Sequence, residues 1–381
     1  MHYQTLYYRA WRSSFSLLLI FLTSCQPETI PLLELPPQTR IGLIGNNLCA
    51  RMMHFGYFEA ELHRRYPAHQ LFIRNLCDGG NTPGFRPHSG RLSPWAFPSA
   101  AQYQTEYANP SGSVGHFATP DEWLTKLRVD YIIAAFGYSE SFLGEAGLER
   151  FRGELRDFIL HTQKQQYNGQ SAPKIVLLSP TAFQQLDGSL DLPGGLRENE
   201  NISLYTEAIR QIALELEIPF IDLFTPTKSW FTSGKALTID GVQLNNLGYQ
   251  KLSKYLVDKL FGGKPKQVDA KAILAAVKEK NWFWHKDYKI PNGVHVYGRR
   301  FEPFGSDNYP EELKKVEEMT FNRDSAIWAI AQDLNYDLKA ADAKTTPLSM
   351  VESNYQPGDD GRGNLTYQYG EEALEKLTVA P

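Results

Sequence analysis

Two short, continuous apolar runs constrain this chain more than any other feature. They read VDYIIAAF at residues 129–136 and KIVLLS at residues 174–179. Strands that are buried on both faces have such uninterrupted runs, whereas strands with one wet face alternate apolar and polar residues. Stretches with helical spacing separate the runs, which is typical of β-α-β units. The sequence therefore predicts a parallel sheet that helices cover on both faces.

Three shorter apolar runs complete the predicted sheet. The strands are expected at residues 41–44, 70–76, 129–136, 174–179 and 219–223. Helices are expected at residues 49–65, 145–165, 201–217 and 245–261. We therefore predict an α/β fold, namely a doubly wound three-layer α/β/α sandwich of the flavodoxin-like type with a parallel five-stranded sheet. Ligands of such sheets bind outside the carboxyl ends of the strands.

The rest of the chain divides into segments of different composition. We predict a signal peptide with a lipobox at 1–25, a tether at 26–38, the sandwich at 39–262, an aromatic and helical C-terminal satellite at 263–335, and a linker or the start of a following module at 336–381. Within the satellite, helices are expected at residues 268–280 and 310–335, with WFWH at residues 282–285 after the first of them.

The N-terminus has the pattern of an export signal. The apolar run at residues 15–22 follows Arg9 and Arg12, and it is shorter than the ~20 apolar residues that span a bilayer. It ends in LTSC, which resembles the lipobox of bacterial lipoproteins and makes Cys25 the expected lipid attachment site. The alternative is an ordinary secretory peptide with an incidental cysteine. We expect an exported protein, in the periplasm or at the cell surface, that touches the membrane only through its lipid.

Composition excludes several classes of function. The chain has 39 Lys+Arg against 43 Asp+Glu and a net charge of −4, which argues against a nucleic-acid partner. Its mean hydropathy of −0.39 excludes a protein with many membrane spans. The sequence has only three cysteines and no HxH, HxxxH or CxxC motif, so we expect no metal site. We also expect no cofactor. Cys49 and Cys77 could form a disulfide outside the cytoplasm, or they could be two small buried thiols.

Four polar segments carry a resemblance to a known family. They are GNNL at residues 45–48, NLCDGGNT at 75–82, FGYSESF at 136–142 and DGVQLNNLGY at 240–249. In this order and spacing they resemble the four signature blocks of the SGNH (GDSL-type) hydrolase superfamily, over about residues 39–262. Neighbouring segments resemble a branch that precedes haem-binding or sugar-dehydrogenase-like modules in bacterial surface proteins. A dehydrogenase-like module is therefore one expected partner.

The resemblance implies hydrolysis of an ester by a Ser-His-Asp triad with an oxyanion hole. This chain has Asn47 at the position of the serine, Gln243 at that of the histidine and Ser139 at that of the oxyanion asparagine. Only Gly80 and Asp240 match the family pattern. An asparagine amide is not a useful nucleophile, and a glutamine does not titrate near neutral pH. These five residues are the candidate site, and its chemistry disfavours the ordinary mechanism.

A relocated serine–histidine pair is one alternative. Ser139 or Ser141 could act with His54, His88 or His116, which are nearby in sequence. The competing interpretation is that His54 caps or edges the core and that the other two histidines are solvated loop residues.

Aromatic residues predicted near the carboxyl ends of the strands favour carbohydrate binding rather than hydrolysis. With the amides of Asn47, Asn81 and Gln243 and the hydroxyl of Ser139, aromatic rings would suit stacking on sugars and recognition of hydroxyl groups. Ordinary loop packing is the alternative. The aromatic residues concerned are Tyr57, Phe85, Trp95, Phe97, Tyr103, Tyr107, Phe136, Tyr138 and Phe142.

Two hypotheses follow from the sequence. The first is a surface-anchored ester hydrolase of SGNH type, of the carbohydrate esterase kind, that acts on a glycan or small ester through a non-standard site. The second is a catalytically silent module of the same fold that binds a glycan or a partner domain. The family resemblance favours the first hypothesis, whereas Asn47 and Gln243 favour the second.

Overall fold

The fold is built on a single parallel sheet. The computed structural model describes residues 32–87, 94–104, 116–186, 191–289, 296 and 309–348, and this part lies in one compact unit that begins at Leu32. Five strands pair in the order β2-β1-β3-β4-β5. They are Arg40–Gly45 (β1), Phe72–Asn75 (β2), Tyr131–Ala135 (β3), Lys174–Leu178 (β4) and Phe220–Ile221 (β5). The predicted α/β class is confirmed.

The helices lie between and after the strands. They are Asn47–Phe55 (α1), Tyr57–Arg65 (α2), Pro120–Leu127 (α3), Leu148–Thr162 (α4), Leu196–Glu215 (α5), Phe224–Phe231 (α6), Asn246–Leu260 (α7), Ala270–Tyr288 (α8), Pro310–Ala331 (α9) and Leu338–Asp342 (α10). Short 3₁₀ segments occur at Ala100–Tyr103 and Glu140–Gly147. Helices α4 and α5 pack together, and α1, α2, α7, α8 and α9 form a second group of contacts.

The core explains why the central strands lack polar residues. Residues of β3 and β4 are almost entirely buried. Alternate residues of these strands, Ile132 and Ala134 among them, pack in one cluster with Phe151 and Leu155 of α4 and with Ile209 of α5. Burial of a large aliphatic or aromatic side chain contributes about 1.5–3 kcal/mol, so this cluster is a main source of stability.

The predicted helix at residues 49–65 is wrong in one respect, because it is two helices. Gly56 separates α1 from α2 with a φ of 70°, in the left-handed region where glycine is favoured. A Cβ at this position would lie 3.1 Å from Val277 and 3.3 Å from Leu274 of α8. The break therefore depends on a helix more than two hundred residues further along the chain.

The predicted end of the helix at residue 280 is also wrong. Helix α8 continues to Tyr288 and includes the whole WFWH sequence. Trp284 is 1% exposed, stacks on Tyr288 with ring centroids 5.4 Å apart, and donates from Nε1 to the carbonyl of Asn75. The segment predicted as a satellite thus places aromatic rings in the same core cluster as the sheet.

Part of the predicted C-terminal linker has structure. Residues 336–348 include α10, and the Lys315 ammonium of α9 donates to the hydroxyl of Thr345 at 2.8 Å. Glu318 of α9 accepts hydrogen bonds from the backbone and the hydroxyl of Thr346. The remaining residues of the predicted linker, 349–381, lie outside the described residues, as does Cys25.

The two cysteines near the sheet are free and buried. The amide of Asn75 joins their backbones, since it donates to the carbonyl of Cys49 and accepts from the N–H of Cys77. Burial holds the pKa of the Cys77 thiol well above its usual range, and the neighbouring Cys49 adds to this. Of the sequence's two alternatives, the structure has the buried thiols. In the described ranges, no helix combines the length and apolar character that a membrane crossing needs.

Candidate functional site

The end of β1 approaches β3 so closely that only glycine fits there. Gly45 pairs with Ala135 and has a φ of 149°. A Cβ on Gly45 would lie 2.2 Å from the carbonyl oxygen of Ala135. The N–H of Asn46 donates to this same carbonyl at 3.1 Å. The contact fixes the turn from β1 into α1 and sets Asn46 and Asn47 at the carboxyl edge of the sheet.

Asn46, Asn47 and Gln243 line one small cavity, which we call the amide corner. Its volume is about 20 Å³, which is room for about one water molecule. Tyr249 of α7 borders it, is 1% exposed, and donates to the carbonyl of Leu48 at 3.0 Å. The structure thus brings Asn47 and Gln243 to the same small cavity.

The polar side chains in and beside the amide corner differ in their hydrogen bonds. The Asn46 side chain is buried, and its Nδ2 has no hydrogen-bond partner in the described part of the chain. Asp240 instead supports the backbone, because its Oδ1 accepts hydrogen bonds from the N–H groups of Val242 at 3.0 Å and Gln243 at 2.7 Å. Asp240 therefore stabilises the turn that carries Gln243.

Gly80 and Ser139 line a different and larger cavity, which we call the carboxyl groove. It has a volume of about 710 Å³, within the range of ligand pockets. Tyr138 borders the amide corner and the next residue, Ser139, borders the groove, so the two cavities are neighbours at the end of β3. Further residues lining the groove are Thr82, Phe85, Gln104, Glu140, Phe142, Arg150 and Glu154.

Glu154 is the groove residue that the sequence interpretation missed. It lies on α4 between Phe151 and Phe158 and is only 2% exposed. Its Oε1 accepts hydrogen bonds from the Thr82 hydroxyl at 2.5 Å, the Gly84 N–H at 2.9 Å and the Gln104 amide at 3.1 Å. A carboxylate on the apolar stripe of an amphipathic helix is a signal that could have revealed it, because such residues are rarely buried without partners.

Glu140 is the second carboxyl group at the groove. Its Oε2 accepts a hydrogen bond from the Gly137 N–H at 2.9 Å, while Oε1 is buried and has no partner among the described residues. Burial raises the pKa of Glu140 to about 8, and Glu154 adds to the rise, against the opposing effects of the backbone N–H groups of Glu140 itself and of Gly137 and of the Arg86 charge. Glu140 is therefore mainly neutral at pH 7.

Among the described residues, Ser139 and Ser141 have no contact with His54 or His116. The described histidines line neither the amide corner nor the groove. His116 pairs with Glu122 through Nε2 at 2.8 Å, and the His54 ring lies 6.2 Å from that of His285. Ser141 is buried and donates to the carbonyl of Tyr138. His88 lies outside the described residues.

The predicted aromatic set divides between the two cavities and the core. Phe85 and Phe142 line the groove, and Phe142 is 68% exposed. Phe136 and Tyr138 border the amide corner. The others pack elsewhere or lie outside the described residues: Trp95 packs on Phe85, Phe97 is buried, Tyr57 donates to Asn246, Tyr103 donates to Asp157, and Tyr107 is outside. Asn81 is also buried, and its amide donates to the carbonyl of Gly45.

Metal-ligating side chains do not converge here. In the described ranges, no group of three or more His, Cys, Asp or Glu side chains could hold a metal ion. The groove carboxylates instead meet hydrogen-bond donors of the protein.

Comparisons with known proteins give structural likenesses only. No family model and no curated protein matches the sequence. A catalytic mutant of Axe2, an acetylxylan esterase from Geobacillus stearothermophilus, has 14% sequence identity, covers 61% of this chain and 100% of its own, and gives a TM-score of 0.42. The acetyl xylan esterase AlAXEase has 17% identity over 57% of this chain and 97% of its own, with a TM-score of 0.40. A putative GDSL-like lipase from Parabacteroides merdae has 16% identity over 60% and 98%, with a TM-score of 0.41. Each of these is a likeness at low sequence identity.

Proposed function

We propose that this chain is a non-hydrolytic module of SGNH type that binds a carbohydrate in the carboxyl groove. One observation carries the proposal. The positions of the family's serine and histidine hold the amides of Asn47 and Gln243 around a cavity of about 20 Å³, whereas the neighbouring groove has about 710 Å³. The corner leaves less room for a ligand than the groove, whose volume is in the range of sites that hold small molecules.

The groove has the two kinds of group that sugar recognition needs. Phe85 and the exposed ring of Phe142 offer apolar faces to the C–H side of a sugar ring. Ser139, Gln104 and Arg150 line the same space with groups that can hydrogen-bond hydroxyls. Apolar lining with a few fixed polar groups is the usual composition of a small-molecule site.

Catalysis and binding are tested separately on the whole protein. We expect no turnover of short aryl esters and no labelling by a fluorophosphonate, because the described part of the chain places no histidine at either cavity. Calorimetric titration with xylohexaose, cellohexaose and chitohexaose should detect binding of at least one of them. Ester turnover that Ser139→Ala abolishes would establish the hydrolase hypothesis instead. Absence of binding to all three sugars would overturn the binding proposal.

The location of the site is tested by a matched pair of variants. Phe142→Ala removes an exposed ring from the groove and is expected to weaken sugar binding about tenfold, equivalent to ~1.4 kcal/mol. Leu196→Ala removes a side chain that is 76% exposed and does not line the groove, so its affinity should equal that of the wild type. Equal affinity in both variants would place the binding site elsewhere.

We further propose that the protein is exported and anchored through a lipid on Cys25, and that a dehydrogenase-like module is its partner. The support is the LTSC sequence after an apolar run, together with the family resemblance of the residues that follow. Metabolic labelling with palmitate should label the wild type and not Cys25→Ala. Protein that retains residues 1–24 in the membrane fraction would contradict the anchor. Co-purification with a dehydrogenase-type protein, lost on removal of residues 349–381, would support the partner.

A further inference from the structure

One carboxyl group, that of Glu154, holds two segments beside the carboxyl groove, residues 82–87 and 94–104, which we call the wall. Glu154 Oε1 accepts from Thr82 and Gly84 on one part of the wall and from Gln104 on another. Thr82 Oγ1 also accepts from the Gln104 amide at 2.8 Å and from the Phe85 N–H at 3.2 Å. The buried Oε1 of Glu154 therefore joins both parts of the wall. Through Thr82 it also helps to fix the backbone of Phe85.

The wall comes so close to α4 that one position must be glycine. A Cβ on Gly84 would lie 2.8 Å from Glu154 Oε1 and 3.2 Å from the Cβ of Ala100. All three partners of Glu154 Oε1 donate hydrogen bonds, which suits an ionised carboxylate. The wall is thus held by hydrogen bonds to a buried carboxyl group as well as by apolar packing.

Glu140 stands next to this carboxyl group with far fewer partners. Its carboxyl group accepts hydrogen bonds from the backbone N–H groups of Gly137 and of Glu140 itself, and it meets no side-chain donor among the described residues. The charged or titratable groups that act on it are Glu154 of α4 and Arg86 of the wall, and Glu140 in turn acts on Tyr205 of α5. The Tyr205 hydroxyl donates to the carbonyl of Gly144. Ionisation of Glu140 would place a negative charge in the groove that Glu154 also lines, where the two carboxyl groups repel each other.

We propose that Glu154 is the positioning residue of the carboxyl groove and that ionisation of the neighbouring Glu140 loosens the wall and lowers affinity for the carbohydrate. This inference rests on the proposed function. Its direction follows from repulsion between two buried carboxylates. The raised pKa of Glu140, about 8, sets the range in which the change occurs. The groove is tight below pH 7 and loose above pH 9.

The first test follows affinity for the sugar that binds best, measured by calorimetry from pH 6.5 to pH 9.5. Wild type should lose about tenfold across this range, a change of ~1.4 kcal/mol. Glu140→Gln should keep one affinity throughout, because its amide does not titrate. Glu149→Gln changes an exposed glutamate on the same helix as Glu154 and should behave as wild type. An unchanged pH profile in Glu140→Gln would overturn the role of Glu140.

The second test needs no ligand, so it separates this inference from the proposed function. Hydrogen exchange of amides in residues 82–87 and 94–104, corrected for the intrinsic pH dependence, should accelerate in the wild type as pH rises from 6.5 to 9.5. Glu140→Gln should abolish the acceleration, and amides of β3 should not change in either protein. If no sugar binds but exchange behaves in this way, the proposed function fails and the wall mechanism stands.

Glu154 is tested through its partners as well as directly. Glu154→Gln should raise exchange of the same amides at every pH and weaken sugar binding about tenfold. If that variant does not fold, Thr82→Val removes one of the three donors, and a smaller increase confined to residues 82–87 is expected. Wild-type exchange and affinity in both variants would overturn the positioning role of Glu154.

Discussion

The amide corner and the carboxyl groove are neighbours at the same edge of the sheet, yet they differ in almost every physical respect. The corner has about 20 Å³ of space and its Asp240 bonds to the backbone, whereas the groove has about 710 Å³ and two buried carboxyl groups. In the corner, the side chains of Asn46, Asn47 and Gln243 leave little free volume between them. The comparison teaches that residues at neighbouring strand ends can border cavities of very different free volume.

The largest effect is expected for Glu140→Gln, and it concerns stability against pH. The pKa of Glu140 is raised from 4.5 to about 8 in the folded protein. The neutral Glu140 carboxyl group therefore contributes fully to the free energy of unfolding below about pH 4.5, and this contribution is lost as pH rises through about 8. Between pH 4.5 and pH 9, the free energy of unfolding of the wild type should fall by about 4 kcal/mol relative to that of the variant.

Urea unfolding followed by circular dichroism at pH 5 and pH 9 measures this difference. Glu145→Gln, an exposed position of the same 3₁₀ segment, is the control and should follow the wild type. Parallel pH profiles for wild type and Glu140→Gln would mean that Glu140 ionises as an ordinary surface carboxyl does, and the groove would lose its distinctive electrostatics.

The next effect is expected for Gly84→Ala. The added methyl group would meet Glu154 Oε1 at 2.8 Å, so the wall must shift, at a cost of about 1–3 kcal/mol. Gly79→Ala is the control, because a Cβ there meets no atom within 4 Å and the residue has no positive φ. Thermal unfolding of the two variants should therefore separate clearly. Equal melting temperatures would show that the wall is not held tightly against α4.

A smaller effect is expected in the amide corner for Asp240→Ala. Loss of two backbone hydrogen bonds to a carboxylate should lower the free energy of unfolding by about 1–2 kcal/mol. Asp240→Asn retains an accepting oxygen and should cost less. Affinity for the sugar should stay at the wild-type value in both variants. A large loss of affinity with unchanged stability would return Asp240 to the binding site.

The smallest effect is expected when Asn47 and Gln243 are replaced by a serine and a histidine. Asn47→Ser combined with Gln243→His should fold and remain unlabelled by a fluorophosphonate, because the corner has room for about one water. Labelling and gel fluorescence compare the double variant with a commercial serine esterase as the positive control. Strong labelling of the double variant would show that the corner opens in solution and would remove the contrast on which the proposed function depends.

The sheet was predictable to within a few residues. The strands at residues 129–136 and 174–179 were predicted because they are uninterrupted apolar runs, and the structure has Tyr131–Ala135 and Lys174–Leu178. The break at Gly56 was not predictable, since a single glycine is tolerated in a helical pattern. In the structure Gly56 has a φ of 70°, and a Cβ there would lie close to Val277 and Leu274.

The site was predictable in its chemistry but not in its geometry. The sequence grouped Asn47 and Gln243 in one candidate site, and the two residues line the same cavity. Ser139 was grouped with them, yet it borders the neighbouring groove. Glu154 was missed because its partners, Thr82 and Gln104, are separated from it by 72 and 50 residues.

The sequence by itself determined that the central strands are buried on both faces and that Asn47 and Gln243 cannot perform nucleophilic and general-base chemistry. Both follow from the covalent nature of the side chains, which no neighbour alters. Only the tertiary structure decided that the amide corner is nearly filled and that Glu140 is neutral at pH 7. Volume and pKa depend on burial and on nearby charges, and those are supplied by residues distant along the chain.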